Sequence, residues 1–280
     1  IVIVGSGDLT TSYLRVLRQQ PDYIPVIVVD HAIDPVREHE LAETFGVTVI
    51  KGDVTHDFML RRLRLHRVRR VMLLGGDDFV AFEAASKILR LYPKLASQIV
   101  LHGRSLRFLR AMQNTQIANQ VTLFNSYNLA AKGLVNSALI AHFKKTNYQD
   151  TVVIAGFGLF GQTILEELQM NAGDEINLVA IVDKQAYRRV QIVDEQQKSG
   201  VFYERKIYQG DTTHPDVWRQ LTDDIDLNRG EPVVIMGTGD SANNLRTALW
   251  IKQHHSNALL FARTNDTSEF AQAVGKEHGV

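Results

Sequence analysis

Short apolar runs alternate with longer amphipathic stretches along the whole of this chain. Runs such as Pro25–Asp30 and Val71–Leu74 consist mainly of Val, Ile and Leu, which predicts buried strands. Stretches such as Leu9–Gln19 and Pro35–Phe45 are longer and mix apolar with polar residues, which predicts amphipathic helices. Strand alternating with helix at this spacing predicts βαβ units, a parallel sheet and right-handed crossovers. The pattern therefore indicates an α/β fold.

The same order of elements occurs twice. A Gly-rich turn between a strand and a helix lies at Ile1–Thr10 and again at Thr151–Gly161, and about 25 residues later an apolar run ends in Asp30 or Asp183. Glycines for the turn, a helix N-terminus for phosphate and an acid for the ribose form the nucleotide-binding fingerprint of a Rossmann unit. We therefore expect two tandem Rossmann-like parallel sheets with flanking helices.

The repeat also sets the expected domain boundaries. We expect a first Rossmann-like domain over 1–125, with a sixth strand at Val121–Phe124, and a second over 150–280. Between them, Ser126–Lys144 has apolar residues at helical spacing, at positions 129, 130, 134, 135, 138, 139 and 143. We therefore expect 126–149 to form a connecting helix with these residues on one face rather than a flexible linker.

Composition narrows the classes of function. Lys plus Arg and Asp plus Glu each number 31 among 280 residues, so the chain lacks the basic excess of a general nucleic-acid or membrane-surface binder. It has no cysteine, which excludes disulfides, thiolate nucleophiles and Cys-ligated metals. No apolar stretch approaches the roughly 18–20 residues of a membrane span, so we expect no membrane insertion by this segment. The chain starts within a strand and without Met, and we expect it to be part of a longer protein.

The second half carries the complete fingerprint. Its glycines permit the turn, let the backbone approach a phosphate and let the helix pack on the strand, while Asp183 would accept hydrogen bonds from ribose hydroxyls. An empty, vestigial site is the alternative. The candidate cofactor-binding residues here are Gly156, Gly158, Leu159, Phe160, Gly161, Asp183, Lys184, Asp211, Thr212, Gly237 and Arg263.

The first half departs from this pattern. Thr10 stands where the third glycine would be, and Asp8 places a carboxylate at the helix N-terminus, where it would oppose a phosphate. An occupied site and a degenerate one therefore both stand as interpretations. The candidate residues in this half are Gly5, Gly7, Asp30, Asp53 and Arg104.

Two further pairs recur at the predicted strand ends. Asp53 and Asp211 could contact the adenine side of a nucleotide or cap the following helix. Arg104 and Arg263 could reach a phosphate or form surface ion pairs. Both alternatives stay open for each pair.

Other charged residues give weaker signals. The stretch Arg61–Arg70 holds six arginines, but interrupting apolar residues favour a solvated helix face or an interface to an acidic partner over nucleic acid. The pairs His56/His214 and His254-His255 lack metal-ligand spacing, and we expect the first pair to cap or pack. We predict no catalytic residue and no metal site.

These features together resemble RCK domains (regulators of K+ conductance), also called TrkA-N domains. The resemblance includes Gly-Asp-x-Thr after the third strand, Gly-x-Gly-Asp-x-x-Asn after the fourth and Arg after the fifth. In the second half it rests on Gly156, Gly158, Gly161, Asp183, Asp211, Asp240, Asn243 and Arg263. The first half departs at Thr10 and at Ala81.

The resemblance implies a function. RCK domains regulate potassium channels and Trk- or Ktr-type uptake systems from the cytoplasm, bind NAD(H), ATP, ADP or AMP, and assemble as dimers or rings. It therefore implies a nucleotide-sensing regulatory module that forms a homo-oligomer and acts on a potassium channel or transporter membrane domain. The interval from Phe124 to Thr151 is too short for the small C-terminal lobe that usually follows each unit in tandem Trk-type subunits.

Two other functions compete with regulation. An NAD-dependent oxidoreductase would need a substrate domain and an acid/base partner near the nicotinamide, and no Tyr here has a Lys four residues later. A tandem nucleotide-binding scaffold could hold an effector domain outside this segment. We expect regulation without catalysis.

Overall fold

The computed structural model describes residues 1–146, 150–196, 203–264 and 268–280. The chain divides into two compact units, Ile1–Ser126 and Tyr127–Val280. Each contains its own parallel sheet, so the expected pair of Rossmann-like α/β sheets with flanking helices is confirmed.

Over residues 1–126, all of which are described, strands alternate with helices. The strands are Val2–Val4 (β1), Ile27–Asp30 (β2), Thr48–Lys51 (β3), Val71–Leu73 (β4), Ile99–His102 (β5) and Thr122–Phe124 (β6). The helices are Asp8–Arg18 (α1), Pro35–Phe45 (α2), Asp57–Arg62 (α3), Asp78–Leu91 (α4) and Leu106–Met112 (α5).

The strands of the first unit form a sheet in the order β3-β2-β1-β4-β5-β6, and every neighbouring pair is parallel. The chain leaves β1 toward β2 on one side and later returns to β4 on the other. Loops that follow β1 and β4 therefore diverge at the carboxyl edge, which is where open α/β sheets bind ligands. Alternate side chains of β1 enter different cores, because Val2 packs in one apolar cluster and Ile3 in another.

The second unit repeats this order. Within its described residues the strands are Asp150–Ala155 (β7), Ile176–Asp183 (β8), Glu204–Gln209 (β9), Val233–Met236 (β10) and Leu259–Ala262 (β11), in the sheet order β11-β10-β7-β8-β9. Its helices are Ser126–Leu134 (α6), Ile140–Lys145 (α7), Leu159–Ala172 (α8), Ala186–Gln196 (α9), Pro215–Asp224 (α10), Ser241–His254 (α11) and Glu269–His278 (α12). Strands β7 and β10 are parallel neighbours, so the second sheet has the same divergence at its carboxyl edge.

The helical segment expected to connect the two domains packs into the core of the second unit. Its buried apolar side chains are Ala131, Val135, Leu139 and Phe143, and they join the apolar cluster that covers one face of the second sheet. The expected apolar face was partly wrong, because Leu129 is 60% exposed. A π-helical turn over Val135–Leu139 separates α6 from α7. In the described part of the chain, no helix combines the length and the hydrophobicity that a membrane crossing requires.

Candidate functional site

A cleft of about 480 Å³ opens at the carboxyl edge of the second sheet. It lies where the loops after β7 and β10 diverge, and it brings together residues from the ends of all five strands. The predicted residues that line it are Gly156, Gly158, Leu159, Phe160, Asp183, Lys184, Asp211, Thr212, Gly237 and Arg263.

Glycines shape the turn between β7 and α8. Gly156 has φ +95°, and a Cβ there would lie 2.7 Å from the Thr238 backbone nitrogen, so no other residue fits. A Cβ at Gly161 would lie 2.3 Å from the Gly156 carbonyl oxygen, so α8 can approach β7 closely only with glycine at this position. Gly158 is the N-cap of α8 and adds no side chain in front of the helix. The fully described helix α8 has no acidic residue in its first turn, so its N-terminus favours an anion.

Asp183 ends β8 and holds this turn in place. Its Oδ2 accepts hydrogen bonds from the Phe157 backbone N–H at 2.8 Å and from Arg189 Nη1 at 2.7 Å, while Oδ1 accepts one from the Gln185 N–H at 2.8 Å. The carboxylate is buried, with 6% exposure, and its position matches that of a ribose-binding acid.

A second acid lies across the cleft. Asp211 Oδ1 accepts hydrogen bonds from the backbone N–H and the hydroxyl of Thr213, and its Oδ2 lies 2.9 Å from Lys184 Nζ. The Thr213 N–H, the Lys184 ammonium and the Thr213 hydroxyl together lower the pKa of Asp211 to about 2. The helix cap that we considered for this acid is instead at His214, whose Nδ1 accepts from the Asp216 N–H.

The first unit builds the corresponding turn differently. Gly5 keeps a positive φ of +103°, but Thr10 fills the third glycine position and its hydroxyl donates to the Gly5 carbonyl at 2.7 Å. Asp8 places an acid in the first turn of α1. Asp30 accepts hydrogen bonds from the N–H and hydroxyl of Ser6 and from the Ala32 N–H.

An arginine also covers the first turn. Arg37 Nε donates to the Ser6 carbonyl at 2.9 Å, Nη2 donates to the Thr11 hydroxyl, and Nη1 pairs with Glu40 at 2.8 Å. Gly7, the N-cap of α1, has open space where a side chain would be, but the Arg37 guanidinium is hydrogen-bonded to the neighbouring Ser6 carbonyl oxygen. Gly5, Gly7 and Asp30 therefore lie together at this turn, which is already held by its own side chains, whereas Asp53 follows β3 and Arg104 follows β5.

Similarity to known proteins agrees with the repeated architecture. The sequence profile of the TrkA-N domain matches residues 1–122 and 152–279. The chain belongs to the TrkA-N domain family. No curated protein is close enough in sequence to match it.

Solved structures of GsuK share the fold of this TrkA-N protein. GsuK bound to ADP has a TM-score of 0.71 at 19% identity, covering 100% of this chain and 63% of that one. The GsuK channel bound to NAD has a TM-score of 0.72 at 14% identity, covering 100% and 60%. The GsuK RCK domain has a TM-score of 0.64 at 14% identity, covering 92% and 68%. The chain thus spans about three fifths of the full GsuK chains.

Arg263 completes the cleft of the second TrkA-N unit. Its guanidinium carbon lies 5.0 Å from the centre of the Tyr127 ring and 5.3 Å from that of Phe160, so two aromatic rings hold the cation beside the turn. Its Nη1 also donates to the Thr238 carbonyl at 3.4 Å. Arg104 of the first TrkA-N unit is exposed, and its backbone N–H donates to Asp78 at 2.7 Å.

The sequence motif after the fourth strand indicated Asn243 and did not indicate its neighbour Asn244. Asn244 is 1% exposed; its Nδ2 donates to the carbonyls of Thr238 and Arg263, and its Oδ1 accepts from the Thr238 N–H. Asn243 is instead a partly exposed residue that bonds to the N-cap Asp240. Sequence spacing could not separate the two asparagines, because both lie in the first turn of α11 after the N-cap Asp240.

The residues that line the cleft but were not among the predicted cofactor-binding residues are Tyr127, Arg189, Thr213, Thr238, Gly239, Asp240 and Asn243. In the first TrkA-N unit, Asp53 forms an Asx turn with Thr55, and the N-cap of α3 is His56. Burial raises the pKa of Asp30, whereas the hydrogen bonds from Ala32 and Ser6 lower it. Together the hydrogen bonds outweigh burial, so the pKa of Asp30 is below its ordinary value.

The arginine-rich stretch 61–70 lies on the surface of the first unit. All six arginines of the 61–70 stretch are exposed while Leu63 and Leu65 are buried, so the stretch is a solvated surface anchored by its apolar residues. No group of three His, Cys, Asp or Glu side chains that could hold a metal ion occurs within the described residues.

Proposed function

We propose that this chain is a nucleotide-sensing regulatory module of a potassium channel or potassium uptake system. The observation that supports it most is the cleft of the second unit, where a complete glycine turn, a buried acid and an arginine converge at one helix N-terminus. Membership of the TrkA-N family and the fold shared with ADP- and NAD-bound GsuK make adenine nucleotides or NAD(H) the ligands we propose.

Each group in the cleft has a role in this proposal. The N-terminus of α8 would bind a phosphate through backbone N–H groups, since Gly158 adds no side chain there. Asp183 would accept the ribose hydroxyls. Arg263, held by Tyr127 and Phe160, would contribute positive charge to the phosphate.

The first unit is proposed to be the structural partner. Asp8 opposes an anion at the N-terminus of α1, and Arg37 is fixed on the turn by three internal contacts. We propose that nucleotide binds more weakly here than in the second unit.

The state of the acidic groups supports regulation rather than catalysis. Asp211 has a pKa of about 2 and is therefore a poor general base near neutral pH. Asp183 gives both oxygens to hydrogen bonds within the protein. We propose that nucleotide binding biases two packings of the units within a homo-oligomer on the cytoplasmic side of a membrane domain, as a population shift.

Equilibrium dialysis of the purified chain with NADH, NAD, ATP, ADP and AMP tests this function. We expect at least one of these ligands to bind with a Kd in the micromolar range or tighter, at about −8 kcal/mol. Absence of binding for all five would refute the sensing role. Turnover of a carbonyl substrate with NADH would instead support the oxidoreductase alternative.

A further inference from the structure

Three cations follow Asp183 in the sequence, and the structure places them in different environments. Lys184 pairs with Asp211 across the cleft, and Arg188 is exposed and does not line it. Arg189 instead turns into the cleft, where 34% of its side chain is exposed. Sequence alone could not distinguish these three positive charges.

The guanidinium of Arg189 lies beside the place where a phosphate would bind. Its Nη1 is 2.7 Å from Asp183 Oδ2, and a Cβ built on Gly158 would lie 3.7 Å from the same nitrogen. Gly158 is the N-cap of α8, so the cation stands over the end of the helix that favours an anion.

We propose that Arg189 is a ligand of the nucleotide's 5′-diphosphate and that this contact makes the cleft select adenosine diphosphate groups over adenosine. The inference rests on the proposed function. Arg189 would move from Asp183 to the phosphate, since a guanidinium binds phosphate through several N–H donors at once. The exchange frees Asp183 Oδ2 for a ribose hydroxyl.

Competition between Arg189 and a ribose hydroxyl for Asp183 Oδ2 explains why the cleft would select ADP over adenosine. In the structure, Asp183 Oδ2 already accepts from Phe157 N–H and Arg189. A ligand without phosphate must displace the arginine and offers it no new anion. A diphosphate compensates for the lost ion pair, so ADP and NAD, which share this group, would bind more tightly than adenosine.

The first unit shows an arginine that cannot make this exchange. Arg37 also follows the ribose-type acid, but it bonds to the Ser6 carbonyl, the Thr11 hydroxyl and Glu40. Asp30 is occupied by Ser6 and Ala32 instead. The arginine and the acid of the first unit are therefore not coupled in the way that Arg189 and Asp183 are.

Calorimetry with ADP, and with adenosine in competition against ADP, tests the inference. We expect Arg189→Gln to weaken ADP binding about 10- to 100-fold and to leave adenosine binding unchanged or tighter, because charge-assisted hydrogen bonds to phosphate are lost. Arg188→Gln is the matched control and should bind both ligands as the wild type does. Arg189→Lys keeps the positive charge but lacks the paired N–H donors of the guanidinium, so it should lose less ADP affinity than Arg189→Gln.

Tryptophan fluorescence of each variant establishes that the second unit is folded, since Trp218 and Trp250 both belong to it. A folded Arg189→Gln variant that binds ADP like the wild type overturns the role of Arg189 and leaves the proposed function intact. A parallel loss of ADP and adenosine binding also overturns it, because Arg189 would then only support Asp183. A wild type that binds neither ADP nor adenosine also overturns the inference, and the proposed function itself fails only when NADH, NAD, ATP and AMP do not bind either.

Discussion

Thr10 and Gly161 occupy the same place in the two units, and each meets the carbonyl oxygen of the first glycine. Thr10 makes a hydrogen bond to that oxygen, whereas Gly161 leaves so little space that a Cβ would lie 2.3 Å from it. The position of Gly161 therefore has no room for a side chain, whereas the same position in the first unit accommodates threonine.

Substitution of Gly161 by Ala should destabilise the second unit by about 1–3 kcal/mol, because the new methyl group overpacks the turn. Urea denaturation followed by tryptophan fluorescence measures this. Gly173→Ala is the control, since Gly173 has φ −61° and open space around it, and it should be neutral or stabilise by up to about 1 kcal/mol. Equal effects of the two substitutions would contradict the packing argument.

The acid at the end of the third strand allows a prediction about pH. The pKa of Asp211 falls from its ordinary value of 3.8 to about 2 in the folded chain. Because the folded pKa lies below the unfolded one, this carboxylate stabilises the fold above pH 3.8, and the contribution is lost as the pH falls toward 2. NMR titration of the Asp211 carboxyl carbon checks the value.

In Thr213→Val, which lacks the hydroxyl donor, the pKa of Asp211 should rise toward 3.8. Thr222→Val is the control, since the Thr222 hydroxyl donates to the carbonyls of Trp218 and Arg219. A wild-type Asp211 pKa at or above 3.8 would show that these hydrogen bonds are absent in solution.

At the scale of elements, polar side chains join neighbouring loops at the carboxyl edge of each sheet. In the second unit, Asn244 of α11 bonds to the carbonyls of Thr238 and Arg263. In the first unit Ala81 stands four residues after the N-cap, and Asp78 accepts from the backbone of Arg104 and Ser105 instead. The loops after the fourth and fifth strands are therefore joined by a carboxylate in the first unit and by an amide in the second.

Asn244→Ala should destabilise the second unit by at least about 2 kcal/mol, because it leaves two carbonyls and an N–H without their buried partner. Asn243→Ala is the matched control and should change the free energy of unfolding by less than about 1 kcal/mol. Urea denaturation of both variants measures the difference. A larger loss in Asn243→Ala would reverse the assignment of the two residues.

The helix before β7 shows where the sequence pattern was insufficient. Ala131, Val135, Leu139 and Phe143 are buried at intervals of four residues, which in an α-helix would drift about 40° per interval. The π-helical turn at Val135–Leu139 widens the helix and keeps these side chains on one face. A search for α-helical spacing alone therefore selected Leu129, which is exposed.

Strand and helix order could be predicted because buried parallel strands and amphipathic helices have distinct periods. The predicted bounds of α2 agree with the structure, and the strands predicted at Pro25–Asp30, Val71–Leu74 and Val121–Phe124 differ from it by one or two residues. The glycines and Asp183 could be placed in the site because backbone constraints dictate them. Arg189 and Asn244 could not, since their roles depend on side-chain conformation, which spacing does not encode.

For the whole molecule, the repeat yields two sheets of the same strand order with unequal clefts. Asp183 and Asp30 end the second strands of their units, yet Asp183 pairs with an arginine in the cleft and Asp30 with a serine in the turn. We propose nucleotide sensing for the second unit and a structural role for the first. Each unit can therefore be tested through its own acid.

Calorimetric titration of the purified chain with ADP tests this central claim most directly. We predict one ADP bound per chain, loss of binding in Asp183→Ala, and binding close to that of the wild type in Asp30→Ala. Absence of ADP binding by the wild type, or loss of binding in Asp30→Ala but not in Asp183→Ala, would contradict the account.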